Sequence, residues 1–316
     1  MNRLAFIMHL ERNNIKITSA PVKNITLFFI IILLLAVQRA GATNDIYFFD
    51  RIDTFLADTT KPDSSAGIIK ISREWALPPL LRNISAIDYI SPGKMACLQD
   101  EVGSIYIFNL DSGAIEKEFP FGPPGNYKGL VILNNDAYVA CADGRIIEIK
   151  NYSSEKREAT EYGTHLTIEE EVNGLCYDKK NKRLLVTIKR TEDGNQLYKG
   201  IYSFHLSDKR MLAKPAIKID LRSRVFRNLQ PRNMQTVFQP SDIDIDPITG
   251  LLYIVDGTRV QLLRMRMNEN IKDVTELGRE KFIQPEGITF TPSGELFIAS
   301  KGVREEPGML FQIKLK

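Results

Sequence analysis

Carboxylates and an amide at Asp100, Glu286 and Asn173, with lysines at Lys128, Lys189 and Lys301, are the residues of this sequence whose types and spacing suit chemistry. Lys128, Asn173 and Glu286 occupy one position of a recurring phrase, just inside the start of a short apolar run, filled in turn by Ser85, Lys128, Asn173, Ser241 and Glu286. The other three fall at a second recurring position, just after the next apolar run, filled by Asp100, Ala142, Lys189, Gly257 and Lys301. Oxygens are what a hard cation such as calcium takes, roughly six to eight at a time and with several carboxylates among them. Glu286, Asp100 and Asn173 are candidate metal ligands on that ground, with the Ser85 and Ser241 hydroxyls as weaker donors. Two other readings are open. The lysines can form charge pairs with Glu286 and Asp100 and fill the space with no ion, because structural ion pairs also gather in clefts. Cations beside carboxylates and amides also suit a small anionic or zwitterionic ligand.

Other chemistries find less support. The three histidines are His9, His165 and His205. His165 precedes an acidic run and His205 sits in the apolar stretch "IYSFHL", so neither reads as part of a metal centre or a Ser-His-Asp triad. "DIDIDP", Asp242 to Asp246, lacks the glycine and closing glutamate of an EF-hand loop. Its period of two puts Asp242, Asp244 and Asp246 on one strand face, as edge solvation or contacts to a neighbouring element. Cys97, Cys141 and Cys176 lie inside apolar alternations without C-x-x-C spacing, which reads as buried thiols, with a Cys97–Cys141 bridge as the alternative. No glycine-rich phosphate loop is present.

The elements that must position these residues repeat. Five units begin at Ile84, Tyr127, Val172, Pro240 and Pro285, so the starts are 43, 45, 68 and 45 residues apart. Each reads as a strand, a polar turn, a second β-rich strand, another turn and a third strand, such as Ser104 to Leu110, Arg145 to Lys150 or Val260 to Met267. A fourth strand, such as Ala114 to Phe119, follows less clearly. Four strands every 40 to 50 residues or so is the pattern of an all-β propeller, and no convincing amphipathic helix stands between the units. The wide spacing holds an insertion, read as a long loop at about 221 to 239. Ile68 to Trp75 is expected to complete the blade begun at Pro285, leaving no open sheet edge. That makes a single propeller over residues 68 to 316, most simply of five blades, six being the alternative count. The two recurring positions then ring one mouth of a central channel.

Residues 1 to 43 read differently. Ile25 to Val37 is an uncharged apolar run after Lys16 and Lys23, followed by Ala40-Gly41-Ala42. This describes a signal peptide, or else an N-terminal membrane anchor through residues 25 to 37, and an exported protein of the periplasm or cell envelope. Residues 44 to 67 are a lead-in segment. The whole chain carries a net charge of +3, but without residues 1 to 43 it has 37 basic against 38 acidic residues. A near-neutral body lacks the basic footprint of a nucleic-acid partner. The cluster Lys179, Lys180, Lys182 and Arg183 reads as a solvated hairpin tip.

The phrases "QDEVGSIYIFNLDSG", "QPSDIDIDPITGLLYIVD" and "QPEGITFTPSGELFIAS", in this order across residues 72 to 316, resemble the SdiA-regulated, or YjiK-like, family of exported bacterial proteins. The resemblance implies a five-bladed propeller distantly related to NHL-repeat proteins, with a calcium ion in some members and no established activity. It also implies acidic residues where this chain has Lys128, Lys189 and Lys301. The function expected is therefore a binding module for an envelope protein, a glycan or a small ligand, rather than an enzyme. The alternative is a calcium-dependent hydrolase of the lactonase-like propeller kind.

Overall fold

The computed structural model describes residues 69–191, 197–229 and 236–315. The expected signal or anchor and the lead-in segment lie outside them. Among the described residues no helix is long and apolar enough to cross a membrane.

Five antiparallel sheets form five blades, each built outward from a strand that lines the centre. Blade one is β2 (Ile84–Ser91), β3 (Lys94–Gln99), β4 (Ser104–Asn109) and β5 (Ala114–Pro120). Blade two is β6 (Tyr127–Leu133), β7 (Asp136–Cys141), β8 (Ile146–Lys150) and β9 (Glu158–Tyr162). Blade three is β10 (Val172–Asp178), β11 (Arg183–Ile188) and β12 (Tyr198–His205), with two outer pieces, β13 (Arg210–Met211) and β14 (Ile217–Asp220), both paired to β12. The outer strand divides near Pro215, which has no N–H to give to a ladder. Blade four is β15 (Pro240–Ile245), β16 (Leu252–Asp256), β17 (Gln261–Met265) and β18 (Ile271–Glu276). Blade five is β19 (Pro285–Phe290), β20 (Leu296–Ser300) and β21 (Met309–Leu315), closed by β1 (Ile69–Ala76) from the other end of the chain.

The expected five-blade count and N-terminal closure are both present. β1 pairs antiparallel with β21 from Ile69↔Leu315 to Ala76↔Met309. Trp75 adds a side-chain clasp, donating its indole N–H to the Leu110 carbonyl of blade one at 2.7 Å. The long loop contains a 3-10 turn at Arg224–Leu229.

The core is not one mass but five. Each cluster of buried apolar side chains joins two neighbouring blades: Leu98 with Val139, Val131 with Leu184, Cys176 with Ile254, Val255 with Ile298, and Met95 with Phe297. Blades are covered on both faces, so their second strands are apolar without interruption, as in Ala137 to Cys141, and not alternating. Cys97, Cys141 and Cys176 are free and buried in these interfaces, and the alternative Cys97–Cys141 bridge is not formed.

Candidate functional site at a plugged channel

In every blade the ladder between the first and second strands slips at its start, and blade one slips again between Tyr89 and Ser91. The starting shifts fall between Ile84/Ala86, Tyr127/Gly129, Val172/Leu175, Pro240/Asp242 and Pro285/Gly287. The residue left over is Ser85, Lys128, Asn173 (with Gly174), Ser241 or Glu286, which are the five positions of the first recurring set. A β-bulge frees one residue from the pleat and re-aims its side chain. Five equivalent bulges thus turn five side chains into one ring. The second set follows a rule as regular: Asp100, Ala142, Lys189, Gly257 and Lys301 are each the first residue beyond the second strand.

Main-chain bonds fasten the two sets together through residues the repeat reading passed over. The N–H groups of Asp100, Ala142, Lys189 and Lys301 donate to the carbonyls of Asn83, Asn126, Glu171 and Gln284 at 3.2, 2.9, 2.9 and 2.9 Å. In blade four, Gln239 donates its N–H to Asp256 Oδ2 at 2.8 Å instead. Asn83, Asn126, Glu171, Gln239 and Gln284 each stand two residues before a bulged residue and are all amides or acids. That shared chemistry at a fixed offset was the available sequence signal.

The mouth is a network of charge pairs. Lys301 Nζ donates to Asp100 Oδ2 at 2.7 Å, and Lys128 Nζ lies 3.6 Å from the same oxygen. Lys189 Nζ pairs with Glu171 Oε1 at 2.9 Å, and Arg190 reaches Glu171 Oε2 at 3.2 Å. Glu286, only 4% exposed, accepts from Gln284 Nε2 at 2.5 Å. Burial raises the Glu286 carboxyl above its ordinary range, and Lys301 and Lys128 pull it back. Burial lowers the Lys128 ammonium, the Lys301 charge lowers it further, and Asp100 and Glu286 oppose both. The Ser85 and Ser241 hydroxyls donate to main-chain carbonyls. Two acceptors here are buried without a partner, Asp100 Oδ1 and Asn173 Oδ1.

Calcium does not fit this donor set. The Lys301 and Lys128 ammonium groups both stand at Asp100 Oδ2, and their positive charge repels a divalent ion beside them. Among the described residues no group of three or more His, Cys, Asp or Glu side chains is placed to hold a metal ion. His165 packs edge-on against Tyr202, and His205 lies in β12 paired with Arg183 and Arg210.

One residue further along each first strand the channel is closed. That level holds Ala86, Gly129, Gly174, Asp242 and Gly287. The strands approach so closely that a Cβ on Gly129 would stand 2.6 Å from Leu175 Cβ, and one on Gly174 would stand 2.7 Å from Asp242 Cα. The Asp242 carboxylate fills this level: Oδ1 accepts Leu175 N–H of blade three at 3.3 Å, and Oδ2 accepts Ile288 N–H of blade five at 2.9 Å. First strands are sheet edges, so their centre-facing N–H groups have no ladder partner and need acceptors from elsewhere. Asp88 Oδ2 serves Ile132 N–H at 2.5 Å and Asp244 Oδ2 serves Phe290 N–H at 2.8 Å in the same way. The "DIDIDP" run therefore does contact neighbouring blades, as one of its two readings held, while Asp246 ties its own turn through Ile248 N–H and the Thr249 hydroxyl. Edge solvation fails for Asp242, which is 2% exposed.

Beyond this plug the channel widens into a cavity of ≈ 840 Å³ at the end opposite the charged mouth. Asp88, Asp244, Thr289, Tyr177 and Phe290 are among its lining residues. Burial pushes Asp88 up to about 8 and Asp244 up to about 7, against the pull of the N–H groups each accepts.

No protein-family model matches this chain, and no curated protein does. Among solved structures, glutaminyl cyclase from Myxococcus xanthus is 15% identical with a TM-score of 0.53, over 78% of this chain and 96% of that one. The PQQ-bound form of aldose sugar dehydrogenase from Streptomyces coelicolor is 11% identical with a TM-score of 0.50, over 80% of this chain and 99% of that one. At such identities the likeness is one of fold alone: the chain shares the β-propeller architecture.

Proposed function

We propose that this chain is an exported binding module of the SdiA-regulated, YjiK-like kind, and that its charged mouth recognises a small zwitterionic or anionic ligand. The observation that carries the reading is the ring of five bulges, a repeated departure from regular pairing that sets Lys128 between Asp100 and Glu286. Two buried acceptors without donors, Asp100 Oδ1 and Asn173 Oδ1, support it, because an unpaired buried acceptor costs about 1–3 kcal/mol that a ligand N–H would recover. An ammonium on the ligand would answer these oxygens, and its anionic end would answer Lys128 and Lys189. The same geometry supports binding over calcium-dependent hydrolysis, since the three lysines bring positive charge to where a catalytic ion would need carboxylates.

Titration calorimetry of the purified chain with glycine, L-glutamate and succinate tests this. Saturable heat with at least one probe, lost in Lys128→Gln, is the expected result. No heat with any of them, or heat unchanged in the variant, overturns the ligand reading. Cell fractionation with mass measurement of the mature N-terminus tests export, and an intact N-terminus in the cytoplasm would overturn it.

A further inference from the structure

The ≈ 840 Å³ cavity lies on the other side of the Asp242 plug from the charged mouth and is of the size that takes a small molecule. Its chemistry is divided. Leu130, Ile132, Phe290 and Met267 give it apolar wall, and Asp88 and Asp244 are set into that wall. Both carboxylates keep partial exposure, whereas Asp242 behind them is sealed.

Neither carboxylate is exhausted by its internal contacts. Asp88 takes the Ile132 N–H and the Thr289 hydroxyl, and Asp244 takes the N–H groups of Ile245 and Phe290. An ionised carboxylate offers about four acceptor directions, so each has room for another donor. Among the described residues, Asp88, Asp242 and Asp244 form no ion pair. The other acids of the cavity are committed: Asp178 to Asn181 and Arg183, Asp246 to its turn. Lys179 and Lys180 are exposed side chains of the β10–β11 turn, at the rim.

We propose that this cavity is a binding site for a small organic cation, an ammonium or guanidinium head on an apolar body, with the head between Asp88 and Asp244. The head brings donors and positive charge to two half-buried carboxylates that have no cation of their own, and the body covers the apolar wall. The groups that face the pair, Asp242, Asp246, Cys176 and Tyr152, add no positive charge. A cation there favours the ionised acids, so each binding event releases a proton to solvent wherever an acid was protonated. Affinity for the cation therefore rises with pH, about tenfold from pH 6 to pH 8 if one acid near 7 must ionise.

The site does not depend on the charged mouth, and the experiment separates the two. The full chain is titrated with benzylammonium chloride, benzyl alcohol and calcium chloride, at pH 6 and pH 8, in wild type, Asp88→Asn, Asp244→Asn and Lys128→Gln. The expected result is saturable binding of benzylammonium alone, stronger at pH 8, at least tenfold weaker in either Asn variant and unchanged in Lys128→Gln. Each Asn keeps an acceptor oxygen for the neighbouring N–H, and the second Asn variant stands in should the first not fold. Equal binding of benzyl alcohol, binding unchanged in a folded Asn variant, or a response to calcium without one to benzylammonium overturns the proposal.

Discussion

Asp242 of blade four and Ile288 of blade five are joined by a 2.9 Å hydrogen bond from a main-chain N–H to a side-chain oxygen across the centre of the molecule. The second oxygen of the same carboxylate holds Leu175 of blade three, so one side chain ties three of the five first strands together. Replacing Asp242 with alanine leaves two buried N–H groups without acceptors, and the expected loss is about 2–5 kcal/mol of unfolding free energy. Asp242→Asn keeps an oxygen at the site and should lose no more than about half as much. Urea denaturation of the two variants against wild type checks the order and the size.

The buried acids set a pH dependence. The folded values of Asp88 and Asp244, about 8 and about 7, lie above the ordinary 3.8, so the folded state holds protons that the unfolded chain has released. Their contribution is complete below about pH 4 and is lost as pH rises through 7 and 8. Glu148 acts in the opposite sense. Burial raises it, but hydrogen bonds from Lys209, Lys150, Tyr138 and Tyr162 outweigh that and bring it to about 2, so its contribution is lost as pH falls towards 2. Melting temperature should therefore peak on the acid side of neutrality and fall by several degrees between pH 5 and pH 9. Asp88→Asn should flatten the alkaline side in a series of thermal melts.

Gly174 should tolerate no side chain. Its φ is +109°, and a Cβ would stand 2.6 Å from Thr187 Oγ1 as well as 2.7 Å from Asp242 Cα. Gly174→Ala is expected to cost more than about 3 kcal/mol, or to prevent folding. Gly113, with φ +66° and nothing within 4 Å of a Cβ, is the control, at about 1 kcal/mol for Gly113→Ala. Circular dichroism melts of the pair distinguish crowding at the plug from conformational cost alone.

Calcium at about 1 mM, ample for a weak extracellular-type site, should leave the melting temperature of wild type unchanged. A shift abolished by Glu286→Ala would revive the calcium reading. Lys301→Gln, by contrast, should leave Asp100 with Lys128 alone, and the change should appear as a weaker salt dependence of stability.

Trp75 closes the ring, so its loss should act on the whole fold. The indole bond to Leu110 joins blade five to blade one, and within blade five the ring packs on Phe297, with centroids 6.1 Å apart. Trp75→Phe removes the bond while keeping most of the area, and should cost about 1–2 kcal/mol in equilibrium unfolding. Trp75→Ala should cost about 3–5 kcal/mol.

The sequence by itself determined the repeat, the propeller class with five blades as its simplest count, the closure by a strand from the other end of the chain and the two recurring sets of positions. These follow from local patterns: turn residues, apolar runs and a period, each written into consecutive positions. Only the tertiary structure decided what those residues do. That Lys301 answers Asp100 across 201 positions, that the mouth and the cavity are divided by Asp242, and that Asp88 and Asp244 stand without a cation are all relations between blades. "DIDIDP" shows the boundary well. Alternation told which face the aspartates share, but an edge strand's need for acceptors depends on how near the next strand comes, and that distance is set by the glycines of other blades.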